Sequence, residues 1–155
     1  MNTEILVNLN KKRDFYNKFS NVKINEKLSE YIYNESLEGD YKNKVIINIS
    51  CREKITDEEK QNMIDIIRRN YGIQVKDLLF TYEREQDKKA ILLVVGIALI
   101  IAYYTGFVSI LKDVVLMFGW LAICSSVYGL VFSSTRSYIK IKRLKNLSKA
   151  RVYFN

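Results

Sequence analysis

The sequence predicts a small cytoplasmic α+β domain, helices on a short sheet, followed by a two-helix transmembrane hairpin and a basic tail. Three observations predict it. Residues 1–89 are dense in charge and balanced, with 17 Lys/Arg against 16 Asp/Glu. From Ala90 to Ser134 the only charges are Lys112 and Asp113, and from Thr135 onward there are seven basic residues and no acid. The regions are therefore 1–87, 88–134 and 135–155. Seven of the eight net positive charges sit at one end of the chain, whereas a nucleic-acid-binding domain spreads positive charge over a folded surface, so no nucleic-acid partner is expected.

In the first region, "TEILVNLN" reads as an edge strand, while "KKRDFYNKFSNV" fits no single period. The stretch "INEKLSEYIYNESLEG" places Ile24, Leu28, Tyr31, Ile32 and Leu37 at helical spacing and ends at Gly39. "KVIINISCR" alternates, with Val45, Ile47, Ile49 and Cys51 on one face, which predicts a strand with one buried side. Thr56 and Glu59 then form an S/T-x-x-E capping box, and Asp57 and Glu58 suit the positive end of a helix dipole. The helix they start carries Met63, Ile66, Ile67 and Asn70 on one face, and Gly72 is read as its C′ residue. "IQVKDLLFTYERE" follows as a turn into a third strand, Leu79, Thr81 and Glu83 alternating against Leu78, Phe80 and Tyr82. The predicted order is (β)–α–β–α–β. This succession of strand, "KITDEE", helix, glycine and strand covers roughly a quarter of the chain and resembles the ring-building modules of sporulation and flagellar membrane rings. No function is carried over from it.

The second region holds two uncharged stretches, Ala90–Leu111 and Val114–Ser134. About 20 helical residues at 1.5 Å rise cross a ~30 Å hydrocarbon core, so spans are predicted at about 89–110 and 114–134. Two endings of the first helix remain open. It stops at an interface marked by Tyr103 and Tyr104, with 105–111 along the surface and Trp120 near the headgroups, or it continues to Leu111. Arg84, Lys88 and Lys89 precede the first apolar stretch, and Arg136, Lys140, Lys142, Arg143, Lys145, Lys149 and Arg151 follow the second. Positive residues stay cytoplasmic, which predicts a multi-pass protein of the cell membrane with both termini inside. Lys88, Lys89 and the seven tail cations are the residues expected to meet anionic lipid headgroups. Tyr138, Ile141 and Leu144 share one side of a helix, suited to lying on a surface or docking on a partner.

Small residues recur in the second stretch at Gly119, Ala122, Ser126, Gly129 and Ser133, and in the first at Ala98, Ala102 and Gly106. Such stripes let helices approach closely in lipid, so these eight are candidates for closing the hairpin or for self-association into a homo-oligomer.

Chemistry is scarce. Histidine and proline are absent, and Cys51 and Cys124 lie in different regions, so neither a disulfide nor a Cys/His metal cluster is expected. Cys51 reads as an inert residue of a buried face. There is no glycine-rich phosphate loop. Glu58-Glu59-Lys60 has a nuclease-like spacing, and Asp57 with Glu58 suggests a cation site, but helix-start acids account for both. Arg68, Arg69 and Lys76 read as a solvated helix end. No charge lies inside either apolar stretch, which speaks against a transporter. Neither catalytic residues nor cofactors are expected. The expectation is a non-enzymatic membrane sensor or adaptor whose cytoplasmic domain binds a protein or small ligand. "YEREQDKKA" joins that domain to the apolar region without a flexible Gly/Ser linker. Two alternatives stand beside it: a membrane-disrupting or holin-like effector gated by the soluble domain, and an accessory or immunity protein bound to another membrane protein.

Overall fold

The structure, a computed structural model, describes residues 2–106 and 111–154, apart from the side chains of Ser133 and Ser134. It divides into two compact units: Met1–Leu78 together with Ile139–Asn155, and Leu79–Tyr138.

The first unit is built on a parallel three-stranded sheet. Strands β1 (Asn2–Leu9) and β4 (Lys44–Cys51) arise where the sequence alternates: Ile5, Val7, Leu9, Val45, Ile47 and Ile49 are buried, and Cys51 on the same face is half-buried. Between them lie a 3-10 turn (Lys12–Phe15), a small antiparallel pair β2 (Tyr16–Asn17) and β3 (Ser20–Ile24), and helix α1 (Glu26–Glu38). The Asn25 side chain starts α1 by accepting from the Lys27 amide at 3.1 Å. β1 pairs with β4 in register Asn2↔Lys44 to Leu9↔Cys51.

The third strand is not the predicted one. Residues 73–85 are helical, and α2 runs from Asp57 to Tyr104 without a break at Gly72. The capping box is formed: the Thr56 amide donates to Glu59 Oε2 at 2.8 Å and the Glu59 amide to Thr56 Oγ1 at 3.3 Å. Beyond Gly72 the apolar residues keep helical spacing, since Ile67, Tyr71, Val75 and Leu78 all join the core. Alternation over so short a stretch was the wrong period. The glycine itself meets nothing within 4 Å where a Cβ would stand, so the helix passes through it at only a propensity cost. The strand–helix–glycine–strand likeness fails at that same point.

The sheet is completed by β5 (Arg151–Phe154), which pairs in parallel with β4, Ile46↔Arg151 to Ile49↔Phe154, and gives the order β1-β4-β5. The helix before it, α4 (Ser134–Ser148), buries Ile141, Leu144 and Leu147, and Ala150 follows them into the core. The predicted free basic tail is therefore a structural element, and its apolar side docks on its own chain. Parallel strands demand a crossover connection. Here α2 leaves β4, α4 returns to β5, and the entire second unit is inserted between them.

The two-span prediction is corrected. The first apolar stretch belongs to α2, which stops at Tyr104, leaving roughly 15 apolar helical residues, about 22 Å where ~30 Å is needed. Gly106, at φ 71, turns the backbone into the left-handed region that glycine adopts most readily. The alternative ending at Leu111 falls on residues 107–110, outside the described ones. Among the described residues one helix, Lys112–Ser148, is long and apolar enough to cross a membrane, by length and composition alone. It comprises α3 (Lys112–Tyr128), a π-helical turn (Gly129–Ser133) and α4. The mixed α+β character of the first unit stands; the transmembrane hairpin does not.

Candidate functional site

In the second unit, the end of α2 lies antiparallel to α3. Tyr82, Gln86, Lys89, Leu93, Gly96, Ile100 and Tyr103 alternate at steps of four and three, and each is buried or half-buried. The centre is a glycine crossing. A Cβ on Gly96 would stand 2.8 Å from Ile123 Cγ1 and 3.1 Å from the Gly119 carbonyl oxygen, and one on Gly119 would stand 3.0 Å from Ile100 Cγ1. Only backbone fits there, so the two helices touch at van der Waals distance.

The small-residue candidates divide accordingly. Gly119, Ala122, Ser126 and Gly129 all lie on the inner side, and Ser126 settles its hydroxyl by donating to the Ala122 carbonyl at 2.7 Å. The Ser133 side chain lies outside the described residues. In the first stretch Ala98 and Gly106 are exposed and Ala102 is half-buried; the contact is made by Gly96, which the spacing of Ala98, Ala102 and Gly106 passed over. The three–four alternation from Tyr82 to Tyr103 is the signal that finds it. Gly129 meets a side chain instead of a helix: the stem of Lys89 lies against it, and Lys89 Nζ donates to its carbonyl at 3.2 Å. That carbonyl sits where the π turn begins, and a widened turn loosens the regular ladder.

Along 90–104 and 114–132 the exposed side of this unit is apolar but for Ser125. Ile91, Val94, Phe118, Trp120, Leu121 and Phe132 are each more than half exposed, and they are a sample of a longer series. Fully covering one such side chain is worth about 1.5–3 kcal/mol. Soluble monomers rarely leave even a few hundred Å² of contiguous apolar surface uncovered. At the turn, Lys112 Nζ stands 4.7 Å from the Tyr103 ring centroid, a cation–π contact.

The predicted headgroup cations separate into two kinds. Lys88, Arg136, Lys140, Lys145, Lys149 and Arg151 are exposed. Arg143 is committed to the first unit, donating to the carbonyls of Ser36 and, at 3.0 Å, Gly39, where the exposed acceptors at the end of α1 attract a cation. Lys142 is half-buried with Nζ 5.3 Å from the Tyr41 ring centroid, and Lys89 is engaged as described. Asn146 adds donations to the Tyr41 and Asn43 carbonyls at 2.8 and 3.0 Å. Lys149 and Arg151 join Lys44, Asn2 and Asn146 around an open cleft of about 470 Å³.

Two titrating groups are perturbed. The Glu59 carboxylate accepts from Lys12 Nζ at 2.6 and 2.9 Å and from the Thr56 amide, which hold it below its ordinary 4.5. Burial pushes the Tyr71 phenol up to about 12, against the opposing effect of its 2.8 Å donation to the Ser29 carbonyl. Among the described residues no three His, Cys, Asp or Glu side chains gather as metal ligands. Compared with protein-family models, with curated proteins and with solved structures, the chain finds no match.

Proposed function

We propose that this chain is a non-enzymatic membrane adaptor or sensor. Its second unit meets a lipid bilayer through its apolar outer surface, and its first unit meets a partner in the aqueous phase. The apolar outer surface of the second unit carries the reading, because lipid is the medium in which Ile91, Val94, Phe118 and Phe132 cost nothing to expose. The exposed cations Lys88, Arg136 and Lys140 flank the apolar region on both sides, a placement that favours the anionic cytoplasmic leaflet at about 1 kcal/mol per charge.

The test is flotation of the full chain, expressed without detergent, with vesicles containing anionic lipid. Co-migration that resists high salt and alkaline carbonate supports insertion. Recovery in the aqueous fraction as a monodisperse protein refutes it.

A further inference from the structure

An all-parallel sheet is ordinarily covered on both faces. In the first unit only one face is covered. The other presents Glu4, Leu6, Ile46, Asn48, Arg151 and Tyr153, of which Leu6 is 63% and Tyr153 49% exposed. The register arranges them in rows across the three strands: Glu4–Ile46–Arg151, then Leu6–Asn48–Tyr153. An acid therefore stands at one edge of its row and a base at the other, with an aliphatic residue between.

We propose that this open face binds the same face of a second copy of the chain, about a two-fold axis running along β4. Rotation about that axis keeps the strand direction and exchanges the edges. β1 comes to lie over β5 of the other copy, so Glu4 faces Arg151 twice, Leu6 faces Tyr153 twice, and Ile46 and Asn48 each face themselves. Sheets stacked face to face stand about 10 Å apart with strands within about 30°, which brings opposed side chains of these lengths into contact. A two-fold axis across the strands would instead set Glu4 opposite Asn8 and leave Arg151 without an acid. Charge complementarity selects the first arrangement. Lys44 faces its own copy at the end of β4, at the rim, where solvent screens it.

The contact is small. Three strands at ~4.8 Å spacing and about six residues at ~3.3 Å give a face on the order of 300 Å², which falls short of the ~800 Å² per partner in a stable complex. It therefore suits copies concentrated on one surface. Its strength rests on the membrane reading above; its geometry does not.

The experiment uses the full chain with Cys51→Ser and Cys124→Ser, in vesicles or in mild detergent at high protein concentration, with oxidative cross-linking. Asn48→Cys yields a covalent dimer with its own kind. Glu4→Cys alone does not, but Glu4→Cys mixed with Arg151→Cys does. Adding Glu4→Arg to Asn48→Cys sets like charges opposite each other and lowers the dimer yield about tenfold, and adding Arg151→Glu as well restores it. All five substituted positions are exposed or half-buried, so folding is not at stake. A monomeric Asn48→Cys, or a double charge reversal that fails to restore the yield, overturns the proposal. Because the cross-link is also read in detergent, failure of vesicle flotation leaves this test intact.

Discussion

Replacing Leu147 by alanine tests whether the C-terminal residues belong to the folded core. Leu147 is fully buried, and Leu144, at 3% exposed, and Ala150, at 2%, belong to the same core cluster as the strand residues Ile5 and Ile47. The substitution removes three carbon atoms, about 2.4 kcal/mol of transfer free energy, and the remaining cavity raises the loss to about 3–5 kcal/mol. The loss is read on β4, whose pairing with β5 depends on α4 being docked. Amide hydrogen exchange of the peptide Lys44–Cys51 in the full chain is the assay, and about 3 kcal/mol is roughly a 150-fold acceleration where exchange proceeds through opening of the first unit. Lys145→Ala, at an exposed position two residues earlier, should change exchange by less than about 0.5 kcal/mol. Protection of β4 that survives Leu147→Ala unchanged would return the C-terminal residues to the status of a loose cationic segment and refute the sheet order.

Three further outcomes follow from the packing and the titrating groups. Tyr71 stays neutral in the folded chain up to about pH 12 but ionises near 10 when unfolded, so stability falls between those values by about 1.4 kcal/mol per pH unit; denaturant titrations should show Tyr71→Phe losing that share of the alkaline slope. Glu59 is the reverse case: its folded value lies below 4.5, so its contribution is present above 4.5 and vanishes as pH falls through the lower folded value, and the stability gap between the parent chain and Glu59→Gln should close on acidification. Gly96→Leu should drive α2 and α3 apart at a cost of about 1–3 kcal/mol or more, whereas Ala98→Leu, one turn face away and exposed, should be near neutral; equal melting temperatures in detergent would contradict the glycine crossing.

Much of the first unit is readable locally because its signals are local. Alternation in "KVIINISC", the Thr56 cap and the spacing of Ile32 each bury or satisfy groups within a few residues of themselves. What fails to read is what depends on distant partners. β5 is four residues long and basic at its start, and it becomes a strand only because β4 offers an open edge roughly a hundred residues away. Gly72 looks like a terminator because a C′ glycine and a glycine inside a helix are the same letter; Tyr71, Val75 and Leu78 packing onto the core decides the matter. In the apolar region nearly every residue is hydrophobic, so composition marks the region but not its inner face. The inner face of α3 is readable from Gly119, Ala122 and Ser126, while that of α2 is set by size at Gly96 and by heptad steps through polar residues such as Gln86 and Lys89.

The placement of β5 also orders events during synthesis. β1, α1 and β4 leave the ribosome early, yet their sheet lacks its third strand until the apolar unit has been made and the chain has turned back. Closure of the first unit's sheet is thereby a late event: a nascent chain cannot pair its last strand before the apolar unit has been made. A quality-control protease would find the edge of β4 uncovered in such a chain, and covered in one that finished correctly.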